Sequence, residues 1–93
     1  MEPFSIVDNR ERQEYEVSAD GETAWLEYRI HEGMLVLMHT EVPGKLAGRG
    51  IGTALAAYAF KDAKERGLPV KVYCPFVLAY LKRHPELSGQ LAK

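Results

Sequence analysis

Cysteine is almost missing from this chain: Cys74 is the single one among 93 residues. That excludes an internal disulfide framework and any four-cysteine zinc site, and it suits a reducing cytoplasm. The three histidines and Cys74 fall at no metal-ligand spacing, so no metal is expected. No apolar run approaches the roughly 20 residues that span a bilayer, and Met1-Glu2-Pro3 offers no basic or apolar leader. Excess charge of one sign is missing too, with 12 Lys and Arg against 13 Asp and Glu. A net charge of −1 gives no general attraction to nucleic acid or an anionic membrane, so any anion binding must be local. The length allows one domain, and 46% hydrophobic with 27% charged residues is ordinary for a globular chain. No repeat, low-complexity segment or linker divides it.

Periodicity separates a sheet-like first half from a helical second half. Tyr15 and Val17 alternate with polar neighbours, and Asp20-Gly21 is a hairpin signal. Residues 23–30 then carry Trp25, Leu26, Tyr28 and Ile30 to a second turn at His31-Glu32-Gly33. Residues 34–42 are nearly continuously apolar up to His39, which predicts a strand covered on both faces. Three antiparallel strands are therefore expected first. From Ile51 the period becomes helical, with Ile51, Leu55, Tyr58, Ala59 and Ala63 on one face and Lys61, Asp62, Lys64 and Glu65 on a solvated one, until Gly67 stops the helix. The charge pairs Lys61–Glu65 and Asp62–Arg66 belong to that solvated face. Residues 70–74 read as a fourth strand, parallel to the third through a right-handed crossover. Pro75 opens a second helix to about Arg83, ended by His84-Pro85, and residues 86–93 form a frayed turn or short helix. Trp25, Tyr28 and Phe60 are expected in the core.

Between the sheet and the first helix runs Leu46-Ala47-Gly48-Arg49-Gly50-Ile51-Gly52-Thr53-Ala54-Leu55. A strand that passes through alternating glycines into a helix leaves backbone N–H groups converging on one point, backed by the positive end of the helix dipole. Such a turn cradles a phosphate. A nucleoside triphosphate loop needs Gly-Lys before Ser or Thr, and no Lys precedes Thr53. The dinucleotide fingerprint needs Gly-x-Gly-x-x-Gly after a first strand, whereas Gly48-x-Gly50-x-Gly52 lies mid-chain.

The loop resembles the pyrophosphate-binding loop of the GCN5-related N-acetyltransferases, Gln or Arg, two residues, Gly, one residue, Gly or Ala. Gly50 and Gly52 fill the small positions, and Ala47 stands where Gln or Arg is usual. With His39-Thr40-Glu41-Val42-Pro43, Cys74-Pro75-Phe76-Val77 and Tyr80-Leu81-Lys82-Arg83-His84-Pro85-Glu86, most of the chain resembles the small, single-domain YjdJ-type branch. The resemblance implies a minimal α+β fold, an α/β sandwich whose central strands splay apart. It also implies acetyl-CoA as cofactor, with its pyrophosphate on the amides of Gly48, Arg49, Gly50, Ile51, Gly52 and Thr53, and its pantetheine arm on the backbone near Glu41 and Val42. Transfer of an acetyl group to a primary amine follows from the same resemblance. Larger members wall the acceptor with two helices between the first and second strands. Here only Asp20-Gly21 separates them, so an open acceptor side is expected. That suits a protein or peptide amine, and equally a module that binds acyl-CoA without efficient transfer. A monomer or weak dimer is expected.

Transfer needs a base for the amine and an acid for the departing thiolate. His39 and Glu41 share a strand face by period two; histidine titrates nearest neutrality, whereas a glutamate base needs burial. Either of them, or water, is the base. Cys74, at the N-cap of a helix opened by Pro75, sits where the helix dipole favours a thiolate and an acetyl-Cys intermediate becomes conceivable. Against that stands the small buried hydrophobe that a lone Cys usually is. Tyr80 lies roughly where the resemblance places the acid, or is a core aromatic. Lys45 and Arg49 either meet a CoA phosphate or are ordinary solvated loop charges.

Overall fold

A computed structural model describes residues 4–93 of the chain; the reading of Met1-Glu2-Pro3 as leader-free lies outside them. Strands β1 (Val7–Asn9), β2 (Glu14–Ala19), β3 (Glu22–His31) and β4 (Met34–Glu41) form an antiparallel meander. Four strands, not three, precede the glycine loop. The extra one holds only Val-Asp-Asn, too short to show alternation. Asp20 (φ 51°) with Gly21 (φ 78°), and Glu32 (φ 51°) with Gly33 (φ 75°), make the two hairpin turns. Positive φ at both central residues matches the twist of the flanking strands.

Helix α1 (Ile51–Arg66) crosses from β4 to β5 (Val70–Val72), which pairs parallel to β4, and α2 (Pro75–Arg83) follows. The order β1-β2-β3-β4-β5 is a mixed sheet with helices packed against it, an α+β fold. Pro75 opens α2, and Gly67 caps α1 with φ 71°. The tail does more than fray. A 3-10 segment at Pro85–Gln90 leads to Leu91, which bridges Val70, and the Ala92 N–H donates to the Val70 carbonyl at 2.8 Å.

Period two divides the sheet into unlike faces. Tyr15, Val17, Ala24, Leu26, Tyr28, Leu35, Leu37 and Val70 are buried together with Leu55, Ala59, Phe60, Ala63 and Val77 of the helices. Each large aliphatic in that core contributes about 1.5–3 kcal/mol by its burial. On the opposite face among the described residues, Trp25 is only half-buried and Met38 is 39% exposed. The expected covering of β4 on both faces therefore holds at Val36, which is buried, and fails at Met38. Its apolar residues Met34 and Met38 border an open groove of about 520 Å³ with Tyr73 and Lys71, and Trp25 is not a core residue.

A polar staple joins the start of the chain to the end of α1. The Tyr15 hydroxyl donates to Asp62 at 2.7 Å and the Tyr28 hydroxyl to Asp8 at 2.6 Å, with the two rings stacked at 4.6 Å. Arg66 joins both carboxylates, 2.6 Å from Asp8 and 3.2 Å from Asp62. Asp62 and Arg66 thus leave the solvated face on which spacing alone places them. They pair with each other as expected, but their side chains are only 15% and 22% exposed. Burial, then the bond to Asp8, pushes Tyr28 up to about 12, and burial with the Asp62 bond raises Tyr15 further.

The sign of the linkage is fixed by those shifts. Between about pH 10, where an unfolded tyrosine ionises, and about 12, the folded chain holds a proton that the unfolded chain has released. Stability is thus full below pH 10 and falls as pH rises above it. Urea midpoints measured from pH 8 to 11.5 should fall beyond pH 10, and Tyr28→Phe should flatten that fall. An unchanged slope in Tyr28→Phe would assign the loss to other groups.

Candidate functional site

Beyond β4 the chain turns through Pro43 and a 3-10 turn at Gly44–Leu46, and Leu46 is buried beneath it. The loop then reaches α1 through Gly48 and Gly50, each with φ 81°. That is the left-handed region, which costs other residues roughly 1–2 kcal/mol. Gly50 is the N-cap of α1 and makes no side-chain cap, and the first intrahelical bond runs from Ala54 N–H to Gly50 O at 3.0 Å. The amides of the first turn are left without a side-chain partner, behind the positive end of a 16-residue helix. Gly52 differs, since its φ is ordinary. A Cβ there would lie 2.6 Å from Cζ of Phe76, so the constraint is close packing against α2.

These residues border an open cavity of about 360 Å³ lined by Val42, Gly48, Gly50, Ile51, Gly52 and Thr53, together with Leu46, Ala47, Phe76 and Arg83. A concave surface with converging amides at a helix start suits an anion. Six of the eight residues expected to hold the cofactor line it. Arg49 does not; it turns away to Asp20 of the hairpin, 2.7 Å off. Lys45 is exposed outside the lining. Phe76 and Arg83 are the residues that sequence reasoning missed. They lie seven apart on α2, hence on one helix face, so placing Phe76 over Gly52 would have brought Arg83 with it.

Beside the cavity β4 and β5 part company. They pair only from Leu35–Val70 to Leu37–Val72, after which the N–H groups of both Tyr73 and Cys74 turn to the Leu37 carbonyl, at 2.9 and 3.3 Å. The fourth predicted strand therefore stops at Val72, not Cys74. At the same level a bulge interrupts the other side of β4. Glu27 opposes His39 but Tyr28 opposes Leu37, leaving Met38 as an extra residue. An extra residue bends a strand and re-aims its side chains. From His39 to Glu41 the strand pairs with β3 alone.

The four residues singled out for chemistry divide across this split. His39 and Glu41 lie on the open face, opposite Glu27 and Trp25, with His39 Nε2 3.0 Å from Glu41 Oε1. Their side chains are 56% and 49% exposed. An exposed pair of this kind adds less than about 1 kcal/mol to stability. Glu41 meets a histidine, not the Lys or Arg that a surface role would favour. Cys74 faces the helices and is 1% exposed, its Sγ 3.1 Å from Oγ1 of Thr40. It is the N-cap residue of α2, as expected, but makes no capping bond. Tyr80 is buried, its ring stacked between Phe60 (6.4 Å) and His84 (4.3 Å). It belongs to the core packing, outside the cavity lining.

A glycine cradle at a helix start beside two splayed parallel strands is a specific arrangement, and residues 14–91 match the sequence model described as GCN5-related N-acetyl-transferase. The chain belongs to the GCN5-related N-acetyltransferase family. It is 31% identical to Protein NATD1 of Mus musculus over 86 residues, which covers 89% of this chain and 78% of that one. To Protein NATD1 of Homo sapiens it is 31% identical over 86 residues (89% and 76% covered), and to that of Xenopus tropicalis 32% over 91 residues (91% and 84%). In this acetyltransferase domain the hairpin Asp20-Gly21 directly joins β2 to β3. Among the described residues no helix lies over the face that carries Trp25, His39 and Glu41. Among the described residues no helix is long and apolar enough to cross a membrane.

Proposed function

We propose that this domain is an N-acetyltransferase that takes its acetyl group from acetyl-CoA and delivers it to an exposed primary amine. The observation that carries this reading is the uncapped first turn of α1, entered through two left-handed glycines and opening beside the split between β4 and β5. The donor's residues fit the group expected. Gly48, Gly50 and the first amides of α1 would hold a pyrophosphate, and the backbone from Met38 to Val42, free of a partner on its β5 side, would hold an amide-bearing arm. Acetyl-CoA, when bound, supplies a thioester carbonyl activated toward attack by an amine.

The remaining chemistry belongs to this chain. His39 is the proton acceptor in this reading. With Glu41 ionised, Nε2 carries the hydrogen of their 3.0 Å bond, which leaves Nδ1 as the basic site and fixes the ring's orientation. Both groups stand on the uncovered face, so a bulky amine can approach without displacing protein. Cys74 is a packing and positioning residue: its thiol is buried against Thr40, and transfer is direct.

Release of free CoA thiol, followed on a panel of lysine peptides and polyamines, tests the whole reading. Amine-dependent release supports it. Tight CoA binding with no release on any acceptor would replace it with a non-catalytic acyl-CoA-binding module, which the bare acceptor face also accommodates. Cys74→Ala should keep turnover within about twofold, with no acetyl mass on the wild-type cysteine after incubation with the donor. Loss of turnover together with an acetylated Cys74 would restore the covalent route.

A further inference from the structure

The cavity at the start of α1 is well supplied with amides and poor in charge. Of the residues that line it, only Arg83 is ionic; the loop's own cations, Lys45 and Arg49, lie outside the lining. The six arginines of the chain are also unequal in their partners. Arg10 and Arg66 pair with Asp8, Arg12 with Glu14, Arg29 with Glu27, and Arg49 with Asp20. Among the described residues Arg83 alone has no carboxylate. An unpaired guanidinium in the same cavity wall as the uncapped N–H groups of a helix start supplies the charge that an anion site needs. It presents paired donors matched to phosphate oxygens, and such charge-assisted bonds are the strong ones.

Its position has a structural cause. Pro75 starts α2 at a set point, so Phe76 in the first turn packs its ring on Gly52. Two turns later the same helix face carries Arg83 to the cavity wall. Helix α2 is therefore a second jaw to the glycine loop, apolar at one end and cationic at the other. On the approach to the glycines the loop lines the cavity with Leu46 and Ala47, neither of which carries a charge.

We infer that Arg83 is the residue that neutralises the diphosphate of the acyl donor on the glycine loop. This rests on the cavity being an acyl-CoA cradle, and the measurements separate the two statements. CoA and dephospho-CoA, which lacks the 3′-phosphate, are titrated calorimetrically into the wild-type domain, Arg83→Ala, Arg83→Lys and Arg49→Ala. Arg83 is exposed, so its replacement leaves the core intact, and a thermal melt of each variant checks this.

The wild type should bind both ligands. Arg83→Ala should weaken both by the same factor, about tenfold, with Arg83→Lys between them and Arg49→Ala unchanged. Wild-type binding with no loss in Arg83→Ala overturns the inference and leaves the cradle standing. A loss for CoA but not for dephospho-CoA overturns it as well, by moving Arg83 to the 3′-phosphate. An equal loss in Arg49→Ala would overturn it by showing a diffuse positive field. A wild type that binds neither ligand would overturn the cradle itself.

Discussion

Gly50→Val is expected to weaken CoA binding a hundredfold or more while the domain still folds. Gly50 holds φ 81° at the N-cap of α1, a conformation that costs a residue with a Cβ roughly 1–2 kcal/mol and a β-branched one more. Apart from its two chain neighbours, nothing lies within 4 Å of a Cβ built there, so the core does not resist the substitution. Gly50 lines the cavity, so a valine adds bulk at its wall. The loop then has two outcomes, both harmful to binding. It keeps its shape with an isopropyl group in the cradle, or it relaxes to negative φ and re-aims the amides. Losing two or three amide bonds to a charged ligand at about 1.5 kcal/mol each accounts for a factor of a hundred. Gly50→Asn tests the cause, because asparagine tolerates the left-handed region and should retain more affinity than valine. Calorimetric titration with CoA, paired with a thermal melt, reads both effects. Unchanged affinity in Gly50→Val would place the cofactor elsewhere on the molecule.

At the other end of α1, Asp62→Ala should lower stability by about 2–3 kcal/mol without touching CoA affinity. Tyr15 is fully buried and its hydroxyl donates to Asp62. Removing the acceptor leaves a buried hydroxyl unsatisfied, a cost of about 1–3 kcal/mol. Arg66 also loses one of its two carboxylates. Tyr15→Phe in the same chain should recover most of the loss, since both members of the bond are then gone. In a domain of this size a loss of about 2 kcal/mol lowers the melting temperature by roughly 10 °C. CoA affinity is spared because Asp62 lies about 18 Å along the helix from Gly50 at 1.5 Å per residue. A loss below about 0.5 kcal/mol would return Asp62 and Arg66 to the status of a surface pair.

Much of the fold was legible where chemistry acts within a few residues. Asp20-Gly21 and Glu32-Gly33 turn the chain because their backbones accept positive φ. Pro75 starts α2 and Gly67 stops α1 for equally local reasons. The glycine loop was legible on the same ground, as was the shared face of His39 and Glu41. The misreadings concern partners distant in sequence. A run from Met34 to Met38 looks two-sided because hydrophobicity does not state what covers it, and here Met38 stays exposed although Val36 on the same face is buried. Strand β1 is recognised through pairing with Glu14 to Glu16, which its own three residues do not announce. Asp62 and Arg66 repeat a surface pattern and are partly buried only because Tyr15, Tyr28 and Asp8 arrive beneath them.

The same division runs through the functional site. Local sequence was enough to set a strand, a left-handed glycine turn and a helix in succession, because dihedral preference and hydrophobic period act over a few residues. That specified a glycine turn at a helix start and the family to which the chain belongs. Tertiary packing alone chose the charge that stands beside that turn. Arg49, beside the glycines in sequence, is drawn to Asp20. Arg83, more than thirty residues away, is brought to the wall by the seating of Phe76 on Gly52. Packing likewise buried Cys74 on one side of the sheet and left His39 and Glu41 on the other. The physical reason is that ion pairs and burial depend on distance in space, which a close-packed core sets only once the sheet and both helices have met.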